Sequence, residues 1–320
     1  MKNKKAIMFV ASLLILIFHF WICISSKTSP IFKYELFIRQ ICFIGVDIFF
    51  FISAFSIYGV KTDEYLKFIK KRFIKVYLLF IIFSIIAFFY NNWSLKELIL
   101  TISGMSLFIK GGGSFLWFVP AIMLMYILLP LYGFVEEKNK YILPITMILW
   151  VILAFTLSNY SSYKEIFIFL NRVPIILIGY YFSKYKIIDK LSKKIVILLS
   201  IIGSISGILL LYYFLRGNFY IRDFYYVLAI PLVIGIILLV NEMPKFNFIN
   251  KIGSITLEIY ALQMTFGFDI ANLLSRIIVN NNFLANMSII AIIIVISLLI
   301  NYGYTKLLFY GNILINKVGR

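Results

Sequence analysis

AIMFVASLLILIFHFWICISS, residues 6–26, is apolar almost throughout, and the class of the whole chain follows from it. A run of about 20 apolar residues is long enough to cross a bilayer as a helix. It also carries the only histidine of the 320 residues. Counting from Ala6 at about 1.5 Å per residue, His19 lies roughly 20 Å deep. Imidazole takes and gives protons near neutrality, so an ionisable group inside a span is a candidate functional residue by default. The alternative is a histidine that only hydrogen-bonds a neighbouring helix. The stretch lacks a small-residue cleavage site after Ser26, so it reads as a retained span and not a signal peptide.

The rest of the chain agrees with its opening. Hydrophobic residues make up 62% of the sequence and charged residues 14%, far from the balance of a soluble protein. The expectation is an all-α, polytopic helical membrane protein forming one domain over residues 1–320. Spans are expected near 6–26, 41–59, 76–90, 115–134, 141–158, 166–182, 195–215, 224–240, 255–274 and 285–306. The piece LILTISGMSLFIK (98–110) is too short to cross and is interrupted by Gly104, so it reads as a half-membrane or interfacial helix.

Ten spans put both termini in the cytoplasm. Most of the 31 Lys and Arg then fall inside, including the clusters KTDEYLKFIKKRFIK (61–75) and SKYKIIDKLSKK (183–194). The net charge of +18 is spread over loops on both sides, which points to orientation and anionic lipid, not to nucleic acid. Cys23 and Cys42 flank the first outer loop without metal spacing, and a disulfide between them stays open. One histidine and no Cys/His cluster make a structural zinc site unexpected.

Beyond His19, four places carry candidate chemistry. Asp47 lies a few residues inside the second span, where a carboxylate needs a partner. It either orients the imidazole of His19 as in a triad or caps its own helix. Arg72 and Lys75, three apart in KKRFIKVY (70–77), share a helix face. They are placed to grip phosphates, or they anchor the chain to lipid headgroups. In GGGSFLWFVPAIMLMYILLP (111–130), the three glycines read as a hinge and Trp117 as an interfacial residue. Pro120 is expected to leave a backbone carbonyl free. Arg172 and Pro174 open a later span, with Arg172 serving an oxyanion or glycan or snorkelling to the interface. Glu258 and Asp269 read as solvated residues near the two ends of the ninth span.

In this order, the pieces resemble the acyltransferase 3 family of integral membrane acyltransferases. The matching segments are LLILIFHF (13–20), GVDIFFFISAF (45–55), RFIK (72–75) and LWFVPAIMLMY (116–126). They continue with Arg172 and Pro174, followed by Gly179–Tyr180, and with GSITLEIYALQ (253–263). GVDIFFFIS is the most specific of them. The resemblance implies ten spans in a bacterial cytoplasmic membrane and no tightly bound cofactor. It implies transfer of an acyl group, usually acetyl, from cytoplasmic acyl-CoA to a hydroxyl of a surface carbohydrate or glycolipid. Carried over by position, it makes His19 the catalytic histidine, with Asp47, Trp117 and Arg172 supporting the site and Arg72 with Lys75 holding the donor.

The sequence departs from the family pattern at four places. Met8 stands where an arginine is usual, Lys75 replaces the second arginine of the basic motif, Ala54 replaces a glycine and Gln263 a histidine. Two competing readings stand beside the transferase: a non-enzymatic glycolipid or polymer exporter, and a degenerate partner in a glycan-assembly complex, the latter motivated by Met8 and Gln263. No inverted repeat of the kind common in transporters is visible in the chain.

Overall fold

The computed structural model describes residues 1–20, 32–139, 141–158, 167–215, 222–278 and 282–318. Every regular element among them is helical. In chain order the α-helices are α1 (Lys4–Phe20), α2 (Phe32–Ile41), α3 (Ile44–Phe55), α4 (Tyr65–Arg72), α5 (Leu78–Tyr90) and α6 (Leu95–Ile102). They continue as α7 (Ser106–Lys110), α8 (Phe118–Glu136), α9 (Ile142–Ser158), α10 (Phe167–Leu170), α11 (Val173–Lys184) and α12 (Ile187–Lys190). The last five are α13 (Lys193–Leu215), α14 (Arg222–Glu242), α15 (Asn247–Ile252), α16 (Thr256–Ile277) and α17 (Asn282–Val318).

Among the described residues, five helical stretches are long and apolar enough to cross a membrane. They are Tyr34–Phe55, Thr62–Tyr90, Phe118–Glu136, Lys193–Leu210 and Leu284–Lys306. Shorter apolar helices cover Ile142–Leu153, Val173–Lys184 and Ala229–Glu242. Residues 21–26 of the first expected span, and Cys23 with them, lie outside the described residues. Cys42 is a buried free thiol. The apolar surface is concentrated on the peripheral helices, where Ile148, Leu149, Ile197, Leu198, Ile201 and Ile208 are exposed. Large exposed apolar side chains in such number are what a lipid-facing surface presents.

The helix at the centre is α3. Residues 44–52 and Ala54 are all buried, as expected of a helix that is apolar on every side. Two glycines let neighbouring backbones approach. A Cβ on Gly45 would stand 2.6 Å from the Ala11 carbonyl of α1, and one on Gly179 of α11 would stand 2.5 Å from the Phe51 carbonyl. Neither gap admits a methyl group. Gly179→Ala is therefore expected to destabilise the fold by roughly 1–3 kcal/mol, because backbone must move to admit it. A lower midpoint of thermal unfolding in detergent is the readout, and an unchanged midpoint would refute the close-approach argument.

One face of α1 packs on α3 through Ile7, Ala11 and Ile15. Leu16 and Phe20, on another face, pack with Ile259, Leu262, Ile289 and Ile293 of α16 and α17. That leaves a third face of α1 for His19. The N-terminal end of α1 is held by Asn3, whose side-chain amide donates to the carbonyls of Val240 (3.3 Å) and Asn241 (3.2 Å) beside the end of α14.

One break was legible beforehand. The 98–110 piece is divided into α6 and α7, with Gly104 at φ +77° between them. Ser94 caps α6 by accepting from the Glu97 amide. The basic run 61–75 is helical, and it joins α5 without interruption through one π turn, Phe73–Tyr77. Such turns occur mostly as single insertions, often at functional sites.

Candidate active site

A cavity of about 1060 Å³ runs beside α1, which lines it with Met8, Ile15, Phe18 and His19. Met8 and His19 are eleven residues apart, so this wall extends roughly 16 Å along the helix axis. That volume lies at the upper end of ligand pockets. The cavity joins two chemically different ends. Near the N-terminal end of α1 it is lined by Lys67, Lys70, Lys71, Arg72 and Lys75. His19 belongs to the other end, among Phe18, Phe43, Trp117 and Gly113.

At the basic end, the Arg72 guanidinium stands 4.8 Å from the Tyr126 ring centre and 5.2 Å from that of Phe68. Cation–π contact of this kind fixes the plane of the guanidinium. The π turn carries Lys75 onto the same wall, and the Tyr304 hydroxyl donates to the Ile74 carbonyl within that turn at 3.0 Å. Lys4, ahead of the apolar run, belongs to this charge cluster although sequence reading did not select it. Its ammonium hydrogen-bonds the Ser56 hydroxyl. Burial first, then the charges of Arg72 and Lys75, hold Lys4 down to about 8. Like charges brought this close make the electrostatic potential at this end strongly positive.

At the other end, the imidazole is half-buried, and its Nδ1 has no hydrogen-bond partner of ordinary geometry among the described residues. The Ile15 carbonyl one turn back is the nearby backbone acceptor. The Phe18 ring meets the imidazole edge-on at 5.1 Å. Trp117 is 7% exposed and lines the cavity, so it is not an interfacial belt residue. It is brought there by the turn out of Gly111–Gly113. That turn ends at Leu116, a fully buried residue with φ +49°, a conformation rare for a branched side chain. The carbonyl expected to be freed by Pro120 is occupied, since Leu116 accepts from the Val119 amide at 2.8 Å.

Asp47 and Arg172 stand elsewhere than their positions in sequence suggest. The structure does not bring Asp47 to His19. Its Oδ1 stands 3.3 Å from Arg172 Nε, and both side chains are almost fully buried. A carboxylate at this depth is tolerated only beside a counter-charge, and Arg172 supplies it. Neither residue lines the cavity. The guanidinium lies 4.6 Å from the Phe43 ring and 6.0 Å from the Trp117 ring, so the pair sits behind the aromatic wall and supports it. Arg172 is 2% exposed and does not snorkel. Pro174 does open α11, as the sequence indicated.

Glu258 is not a solvated residue at a helix end. It is 5% exposed, lines the cavity and accepts a hydrogen bond from the Asn301 amide of α17. Asp269 is exposed as expected. Tyr260, on the same helix as Glu258, accepts the Phe118 amide at 3.4 Å and thereby satisfies a free donor at the start of α8.

Fold and site together define a helical protein with apolar, membrane-type helices whose interior cavity is lined by a basic cluster at one end and a histidine at the other. Residues 7–302 match the Acyl_transf_3 family, described as an acyltransferase domain. The match covers nearly the whole chain, and the protein belongs to this acyltransferase family. No curated protein and no solved structure matches it.

Proposed function

We propose that this protein is a membrane O-acyltransferase of a bacterial cytoplasmic membrane. It takes an acyl group, acetyl in the simplest case, from cytoplasmic acyl-CoA and passes it to a hydroxyl of a surface glycan or glycolipid. The observation that carries this reading is the single cavity joining five basic side chains to His19. Ten crossings with both termini in the cytoplasm set the basic mouth on the side where acyl-CoA is found. They leave the His19 end in the outer half of the membrane, toward the glycan.

The donor is a substrate whose phosphates suit Lys4, Arg72 and Lys75, with its thioester arm extending along α1. In direct transfer, His19 takes the proton of the acceptor hydroxyl as its oxygen bonds to the thioester carbonyl carbon. The carbon–sulfur bond then breaks, and the thiolate recovers the proton from the imidazole. If the imidazole instead carries the acyl group between donor and acceptor, ping-pong kinetics distinguish that route from direct transfer.

The ester-linked acyl content of the surface polysaccharide tests the reading. It should fall to background in a deletion strain and return when the gene is restored. Unchanged content on deletion refutes it for that glycan.

The basic mouth gives two further expectations. Arg72→Ala should raise the KM for acetyl-CoA about tenfold or more, the worth of a charge-assisted contact. Lys4 is a cation below about pH 8 and loses its charge above it. Donor KM should therefore rise between pH 7 and pH 9, and Lys4→Met should remove that rise. A pH-independent KM in the unmodified protein would exclude Lys4 from the donor site.

A further inference from the structure

The charge at the His19 end is not accounted for by the donor. Arg39 lies on α2, the helix that leads into α3, and its Nε donates to the Phe18 carbonyl at 3.0 Å. The guanidinium is thus pinned one residue from the histidine, and the imidazole feels its charge. Phe18 is itself held, its ring packed against His19 at 5.1 Å and against Phe43 at 5.2 Å. The contact therefore fixes where the guanidinium stands relative to the imidazole.

Two arginines stand close to this end without lining the cavity itself, Arg172 behind Phe43 and Trp117 and Arg39 behind Phe18, and they differ in their partners. Arg172 is neutralised by Asp47 in the interior. Arg39 takes part in no ion pair among the described residues. The Phe18 carbonyl occupies its Nε alone, and the remaining donors form no hydrogen bond among the described residues. The side chain is half-buried. A guanidinium at a membrane position is costly without a counter-charge, and its planar fork matches a carboxylate or a phosphate. The cations of the donor mouth lie at the opposite end of the cavity, with Lys4 at the start of α1 and His19 near its end. One polyanion at the basic mouth does not also satisfy Arg39.

We propose that Arg39 binds the acceptor, holding an anionic group of the glycan, a carboxylate or a phosphate, beside the hydroxyl that His19 serves. This rests on the transferase reading above. Arg39 selects acceptors by charge and takes no part in proton transfer.

The test uses full-length protein in detergent, with acetyl-CoA as donor. The acceptor is the host's surface polysaccharide stripped of esters by mild base, offered in three forms. These are unmodified, with its carboxylates reduced to alcohols, and with its phosphodiesters removed. The unmodified form should be acetylated in preference to the form that has lost its anion, and the form that fails names the source of the charge. Arg39→Gln should raise the KM for the unmodified acceptor about tenfold or more and erase that preference. The donor KM should stay within about twofold, and Arg39→Lys should recover part of the acceptor affinity, since it keeps the charge without the fork.

Equal use of charged and neutralised glycan by the unmodified protein overturns the proposal. So does a fall in kcat at saturating acceptor with unchanged acceptor KM, which would place Arg39 in the chemistry of His19. A parallel series in vesicles of neutral and anionic lipid separates the remaining source of phosphate. An Arg39→Gln defect that follows lipid charge and not acceptor charge assigns the side chain to headgroups and overturns the proposal. Absence of acetyl transfer to every form by the unmodified protein is the separate failure of the transferase reading itself.

Discussion

His19→Ala is expected to abolish acyl transfer while leaving the protein folded. A positioned general base contributes about a hundredfold to ten-thousandfold. If the imidazole carries the acyl group, the loss is complete. Folding should survive because α1 packs through other residues: Ile7, Ala11 and Ile15 on one face, Leu16 and Phe20 on another. The imidazole's Nδ1 satisfies no buried partner, so its removal strands no donor or acceptor. The measurement pairs glycan ester content with elution profile and thermal midpoint of the purified variant. Retained ester content in a folded His19→Ala protein would remove the histidine from the mechanism. His19→Gln, closer in size and polar, should be equally inactive, since an amide does not exchange protons near neutrality.

The second large effect concerns stability. Asp47→Ala leaves the Arg172 charge in the interior without its carboxylate, and Arg172→Met does the reverse. Losing one partner of a buried pair costs about 3–5 kcal/mol. Both single variants should give little folded protein. The double variant Asp47→Leu/Arg172→Met should recover most of the loss, because an apolar pair of similar bulk is often as stable as the ions it replaces. Recovery of transfer together with folding would identify the pair as support for the Phe43 and Trp117 wall. A double variant that folds but transfers nothing would give the charges a part in the reaction. An Asp47→Ala protein as stable as the parent would dispose of the ion-pair argument.

These two sites differ in how much of them could be read beforehand. His19 was legible because a lone ionisable residue in an apolar run is anomalous wherever the helix ends up. The partner of Asp47 was not, since it lies across a helix interface and α3 is buried on every side. With apolar residues all round, periodicity along 44–55 carries no information about which neighbour each position meets. The choice between His19 and Arg172 then depends on how α1, α3 and α11 cross, which the glycine contacts at Gly45 and Gly179 decide.

The class, the helical character and the family could be read from the residues in order. The break at Gly104 and the placing of Arg72 and Lys75 on one wall were legible in the same way. These follow from run length, residue type and local spacing, which partition a chain between water and lipid before any helix meets another. Four further placements come from the packing of helices against one another. Lys4 joins the basic mouth, Trp117 and Glu258 face the cavity, Asp47 pairs with Arg172, and Arg39 is fastened beside His19. Each of these depends on the rotation and approach of helices distant in sequence, and an almost uniformly apolar chain does not encode that rotation in its pattern.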